Sequence, residues 1–183
     1  MTGTGTGTPV RRTHAAATRH DGGVPPLRRR PVRSVRGRLL ETGELPGLGW
    51  AQVGARGRSE RSFVDATGRG LLLQLRALPD APAAAEALAA VAAVGEEGTG
   101  SDVADGTGVA GRRVVPAPVV PAADDRWAGE VLTDGPDGAG AELTLAATDG
   151  PLLVLARASG SRAAWTWSQV AEVVATQLSR ATR

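Results

Sequence analysis

Two similar stretches dominate this chain: FVDATGRGLLLQLRAL at residues 63–78 and LTLAATDGPLLVLARA at residues 143–158. Each contains an apolar run, a turn with glycine and a second apolar run, and a segment with helical character follows each. Apolar runs separated by such short glycine turns are typical of β-hairpins. We therefore predict two strand–turn–strand–helix units, which are either an internal duplication or a recurring local solution.

The strand pattern continues on both sides of these units. Residues 114–120 contain Pro116 and Pro118, and proline cannot donate a ladder hydrogen bond, so they are predicted to form an edge strand or an extended segment. The other strand candidates are short apolar or alternating runs at residues 50–53, 61–65, 70–78, 126–133, 142–148 and 152–158. The sequence thus predicts an α+β fold with an antiparallel sheet of about five to seven strands and two main helices, arranged as ββα followed by three or four strands and α.

Both helices have start signals in the sequence. Asp80 suits the N-cap of the alanine-rich first helix. Thr166 and Gln169 have the spacing of a capping box at the start of the last helix. Trp165 and Val170 fall at the positions of a hydrophobic staple around that box.

Positive charge is concentrated at the beginning of the sequence. Residues 1–40 hold nine arginines and one acid, a formal charge of +8, whereas residues 41–183 hold twelve arginines and eighteen acids, a formal charge of −6. Residues 1–34 are rich in Arg, Gly and Pro and lack apolar periodicity, so we expect a disordered arm before one sensor-like α+β domain at residues 35–183. The arm could bind nucleic acid or an acidic surface through its central arginines. Those candidates are Arg28, Arg29, Arg30 and Arg33.

The residue types that are absent limit the chemistry of the domain. The sequence has no Lys, Tyr or Cys, and its histidines, His14 and His20, both fall in the arm. Acid–base catalysis in the domain would therefore depend on carboxylates alone. We expect a protein that is not an enzyme and needs no cofactor or metal, with a carboxylate-dependent hydrolase as an alternative. The glycine pattern of Gly106, Gly108 and Gly111 lacks the preceding strand and following helix of a dinucleotide site.

No targeting segment is evident in the residues given. No secretory signal is recognisable, and no stretch approaches the roughly 20 apolar residues of a transmembrane helix. The sequence as written favours the cytoplasm, and an extracytoplasmic protein would require a start upstream of Met1.

The segment Arg38–Trp50, RLLETGELPGLGW, resembles the opening of actinobacterial extracytoplasmic sensor or lipoprotein domains, including the sensor domains of PknH-type kinases. The resemblance implies a curved antiparallel sheet flanked by helices, and a binding or sensing role without catalysis. Within the motif, Leu45, Pro46, Gly47 and Trp50 are expected to fix the start of the first strand. The chain departs from the family in lacking an export signal, a lipobox cysteine and disulfides.

We expect the partner to be an unidentified small ligand or a protein, held in an open groove between the sheet and a helix. Tryptophan is favoured at binding sites, but the four tryptophans could equally fill a core that lacks Ile and Tyr and has one Phe. The candidate ligand-binding residues are Trp50, Arg76, Trp127, Arg157 and Trp165.

Overall fold

Seven antiparallel strands form one sheet in the part of the chain that the computed structural model describes, residues 39–97, 109–135 and 138–182. The strands are β1 (Ala51–Arg56), β2 (Glu60–Val64), β3 (Gly70–Ala77), β4 (Val109–Val115), β5 (Asp125–Gly135), β6 (Gly138–Asp149) and β7 (Leu152–Ser161). The helices are α1 (Ala81–Glu96), which follows β3, and α2 (Trp167–Thr182), which follows β7. The spatial order of the strands is β1-β2-β3-β7-β6-β5-β4. The α+β fold with two main helices is therefore confirmed.

The two similar stretches of sequence meet at the centre of the sheet. Strand β3 pairs with β7 along its whole length, with Leu71 opposite Ala158 and Ala77 opposite Leu152. Leu71, Leu73 and Leu75 alternate along β3 and are buried in the main core, and further strands pair with both outer edges of this pair.

The two helices pack on opposite faces of the sheet. Leu145 and Val154 belong to the main core with Val170 of α2, whereas Ala146 and Leu153 form a smaller cluster with Leu88 of α1. Successive side chains of a strand point to opposite faces, so these neighbours in sequence separate the two packing layers. We call the surface that packs against α2, with Leu145 and Val154, the α2 face, and the opposite surface, with Ala146 and Leu153, the α1 face.

The local start signals of both helices act as the sequence predicts. The Asp80 side chain accepts a hydrogen bond from the backbone N–H of Ala83 at 3.0 Å. At α2, the backbone N–H of Thr166 donates to the Gln169 side chain at 3.0 Å, and the Gln169 backbone N–H donates to the Thr166 hydroxyl at 3.3 Å. Trp165 and Val170 are both buried in the main core.

Some element boundaries differ from the expectation. Three strands, not two, precede α1. The edge strand β4 ends immediately before Pro116, because the missing N–H of proline cannot extend the ladder. The expected strands at residues 126–133 and 142–148 are longer, since β5 continues to Gly135 and β6 begins at Gly138. Val109 and Gly111, which end the glycine pattern, lie in strand β4.

The motif that precedes β1 is tied to the α2 face. The Leu40 N–H donates to the buried Gln177 side chain of α2 at 2.9 Å, and Arg61 donates to the Leu40 carbonyl at 2.9 Å. The Trp50 indole N–H donates to the Pro46 carbonyl at 2.9 Å. These contacts give the motif a structural role at the start of the sheet.

Several expectations fall outside the described residues. They concern the arm at residues 1–34, including the candidate contacts Arg28, Arg29, Arg30 and Arg33. Among the described residues, neither helix is long and apolar enough to cross a membrane.

Candidate functional site

A groove of about 490 Å³ lies between α1 and the sheet. Its wall is one side of α1, where Ala87 and Ala90 are too small to fill the space above the strands. Its floor comes from the α1 face of β4, β5, β6 and β7, with one residue of β3 at the margin. The lining side chains and backbone belong to Arg76, Ala87, Ala90, Val91, Val94, Gly95, Arg112, Arg113, Trp127, Gly129, Glu130, Val131, Glu142, Thr144, Leu155 and Arg157. This volume is in the usual range for a small-molecule site.

The inner part of the groove is apolar. Val91 and Leu155 line it from the helix and the sheet, and the Trp127 ring lines it as well. Val94 lies on the wall with 67% of its surface exposed. Covering this apolar surface with a ligand would remove it from water and favour binding.

The Trp127 ring occupies its position because two glycines leave room for it. A Cβ atom on Gly95 of α1 or on Gly129 of β5 would overlap the six-membered part of the ring. The indole Nε1 is buried and has no hydrogen-bond partner among the described residues. Trp127 is therefore held by packing rather than by polar contacts.

Charged side chains also line the groove. Arg157 forms an ion pair with Glu142 on the floor at 3.3 Å. Arg113 and Glu130 pair with each other at 2.6 Å, but the strand register places their side chains on the α2 face. Within the described residues, no ion pair involves Arg76 or Arg112, both of which are exposed.

Strand register orders these charges across the floor. Arg112 of β4 lies opposite Val131 of β5, which lies opposite Glu142 of β6. In the next row, Gly129 lies opposite Thr144, which lies opposite Arg157. Adjacent strands are about 4.8 Å apart, so Arg112 and Glu142 are separated by about 10 Å at their backbones.

The five ligand-binding candidates from the sequence fall into two places. Arg76, Trp127 and Arg157 line the groove. Trp50 and Trp165 belong to the main core on the opposite face, so the sheet separates them from the groove. The sequence did not single out Arg112 or the small α1 residues for this site. The signal available for them was weak, since alanine is common throughout α1 and only the register places Arg112 on the groove side.

Trp50 and Trp165 instead enclose an arginine. The guanidinium carbon of Arg69 lies 5.2 Å from the centre of each ring, and the two ring centres are 5.5 Å apart. The Arg69 side-chain Nε donates to Asp65 at 2.7 Å. The Trp165 indole N–H donates to the Ser159 carbonyl at 3.1 Å. Polar groups in this cluster are paired within the protein, which fits a structural role.

The Asp65 carboxylate organises the turn between β2 and β3. It accepts hydrogen bonds from the backbone N–H groups of Thr67 and Arg69, each at 2.9 Å, and from the Thr67 hydroxyl at 2.8 Å. Burial opposes ionisation of this carboxyl, but the hydrogen bonds from Arg69 and Thr67 outweigh burial and hold its pKa well below the usual range.

Another pair of carboxylates lies at the turn between β6 and β7. Burial, and then the nearby charge of Asp124, raises the pKa of Asp149. Asp124 accepts a hydrogen bond from the Gly150 backbone N–H at 2.7 Å, so it stabilises the turn. Neither acid lines the groove. Across the described residues, no three His, Cys, Asp or Glu side chains gather as a metal site would require.

The acids of the groove do not face each other. Glu130 lies opposite Leu143, whose side chain is in the main core, whereas Glu142 lies one residue earlier on β6 and points to the α1 face. Each carboxylate is paired with an arginine. Comparisons with protein-family models and with curated proteins find no match for this chain.

Proposed function

We propose that this protein is a non-catalytic binding domain that holds a small molecule in the groove between α1 and the sheet. The observation that carries the proposal is a cavity of about 490 Å³ whose lining combines apolar side chains with polar and charged groups. This combination is typical of ligand sites, in which apolar contacts supply affinity and a few polar groups fix orientation.

A binding role fits the chemistry of the groove better than catalysis does. Glu130 and Glu142 are engaged in ion pairs and lie on opposite faces of the sheet. Carboxylate-dependent hydrolysis requires two acids on either side of one reacting bond. A sensing role, which the resemblance of the Arg38–Trp50 segment implies, is compatible with a site that binds without reacting.

The test is to fill the groove and measure binding of N-phenyl-1-naphthylamine, a neutral apolar probe whose fluorescence rises in a dry site. Ala90 lines the groove, whereas Ala89 is exposed on α1 and does not line it. We expect Ala90→Phe to weaken probe binding at least 10-fold, because the phenyl ring would occupy the cavity. Ala89→Phe adds the same side chain to the same helix and should bind like the parent protein.

The control separates loss of the groove from loss of folding. Both variants should unfold at similar urea concentrations, since both positions are exposed. Equal probe binding by the parent and both variants, or no binding by the parent, would rule out the groove as the binding site.

A further inference from the structure

We infer that the groove selects an amphipathic anion, with an apolar body and one carboxylate or phosphate head. This inference rests on the proposed function and names the ligand class of the same site. It follows from the balance of charge around the apolar surface, from the spacing of the arginines and from the position of Glu142.

The groove has a surplus of positive charge. Among the described residues that line it from the α1 face, Arg76, Arg112 and Arg157 stand against one carboxylate, that of Glu142, since Arg113 and Glu130 pair with each other on the α2 face. The surplus is therefore two positive charges. An anion would meet at least one guanidinium that has no carboxylate partner among the described residues, and guanidinium groups bind carboxylates and phosphates with paired, charge-assisted hydrogen bonds.

Arg76 and Arg112 lie at the margins of the groove, and apolar residues lie between them. Arg76 is on β3 and Arg112 is on β4, strands at opposite sides of the groove floor, while Val91 and Leu155 line the space between. A ligand with charge at one end could therefore place its head at an arginine and its body beneath α1. A ligand charged along its whole length would leave the apolar surface uncovered by apolar groups.

Glu142 favours one charge over several. Its carboxylate forms an ion pair with the Arg157 side chain at 3.3 Å. This places a negative charge on the floor, in the same cross-strand row as Arg112. A second anionic group on a ligand bound over the floor would come close to this carboxylate and be repelled by it. Glu142 therefore competes with an anionic ligand for Arg157, so removing its charge should strengthen the binding of an anion.

The experiment measures displacement of N-phenyl-1-naphthylamine from the full chain by decanoate, decanol and decylammonium, which share one apolar body and differ in head charge. We expect decanoate to bind about 10-fold more tightly than decanol, and decylammonium to bind most weakly. Decyl phosphate replaces decanoate in a parallel series, and tighter binding of either anion than of decanol supports the inference.

Substitutions then locate the source of the preference. Arg76→Gln or Arg112→Gln should reduce decanoate affinity about 3- to 10-fold and leave decanol affinity unchanged, since only the anion uses the charge. Glu142→Gln should strengthen decanoate binding about 2- to 5-fold, because Arg157 is released. Arg58→Gln, at an exposed arginine outside the groove, is the matched control and should change neither.

The outcomes distinguish the ligand class from the site itself. If decanol displaces the probe as well as both anions do, or if neither arginine variant alters the preference, the anion class is wrong while groove binding stands. If no decyl compound displaces the probe and Ala90→Phe does not affect it, the proposed function fails and this inference fails with it.

Discussion

Gly95 and Gly129 determine where the Trp127 ring can lie, since a Cβ on either would overlap it. Glycine in a helix costs about 1 kcal/mol relative to alanine, so an exchange to alanine at an unobstructed site would stabilise α1. At position 95 the gain in helix propensity is opposed by the clash of an added Cβ with the Trp127 ring. The fit of one tryptophan thus explains a helix residue that propensity alone disfavours.

We predict that Gly95→Ala destabilises the protein by about 1–3 kcal/mol, because the added methyl forces Trp127 out of its place. Urea unfolding measures the change. In a Trp127→Leu background the same exchange should be neutral or stabilising, since the obstructing ring is gone. Equal effects of Gly95→Ala in both backgrounds would mean that the ring is not the cause.

Asp65 gives a second prediction at this scale, with a defined pH dependence. Its pKa is lowered in the folded protein, so its contribution to stability is complete at neutral pH. That contribution is lost as pH falls below about 3.9, where the carboxylate becomes protonated in the unfolded chain first. Asp65→Asn should therefore be less stable than the parent at pH 7, and the difference in urea midpoint should shrink as the pH falls below about 4.

Asp134→Asn is the control for this measurement. Asp134 pairs with Arg162 at the surface, and its side chain is 62% exposed. Exposed ion pairs contribute little to stability. If the two variants show the same pH dependence, the hydrogen bonds around Asp65 do not have the assigned effect.

At the scale of elements, local signals were predictable and long-range placement was not. The capping box of Thr166 and Gln169 and the cap at Asp80 depend on residues three positions apart, so the sequence contains all that they require. The face on which each helix packs depends on strands far away in sequence. The alanine-rich composition of α1 carries no strong apolar stripe to indicate it.

The similarity of the two hairpin units illustrates this limit. Leu71 aligns with Leu152, and both belong to the main core on the α2 face, yet the helices that follow their strands lie on opposite faces. A duplication that preserved the whole unit would place both helices on equivalent faces. The likeness therefore extends to the apolar strands β3 and β7. It does not extend to the turns before them, which span residues 65–69 and 150–151, or to helix packing.

We predict that Gln169→Ala costs about 1 kcal/mol, because the Thr166 N–H loses its partner in the capping box. Chemical denaturation of both proteins measures the loss. Thr176→Ala, an exposed exchange in the middle of α2, serves as the control and should be neutral or slightly stabilising, since alanine has the higher helix propensity. A loss at position 176 equal to that at 169 would argue against the cap.

Across the whole molecule, stability should decrease from the centre of the sheet to its edges. Strands β3 and β7 have neighbours on both sides, and Leu73, Val154 and Ala156 are fully buried. The edge strands β1 and β4 each pair on one side within the sheet. Local opening is easier where fewer buried contacts must be broken.

Hydrogen exchange followed by mass spectrometry measures this gradient. We expect the slowest-exchanging amides in β3 and β7 and the fastest strand amides in β1 and β4. Comparable protection of centre and edges would indicate that the sheet opens only as a whole.

Part of the candidate site could be predicted from the sequence. A groove between helix and sheet was expected, and Arg76, Trp127 and Arg157 line the one described. The sequence could not show that Trp50 and Trp165 lie away from the groove, because this depends on which face of the sheet each side chain points to. Arg112 comes to the groove through pairing of β4 with β5 alone.

The central position of β3 has a consequence for synthesis of the protein. One edge of β3 pairs with β2, which immediately precedes it, but the other edge pairs with β7, about 80 residues later in the chain. On the ribosome, that edge stays without its native partner until residues 152–161 have emerged. Contacts of such high sequence separation slow folding. Until then this apolar strand has an unpaired edge, and such edges favour non-native pairing and aggregation in incompletely folded chains.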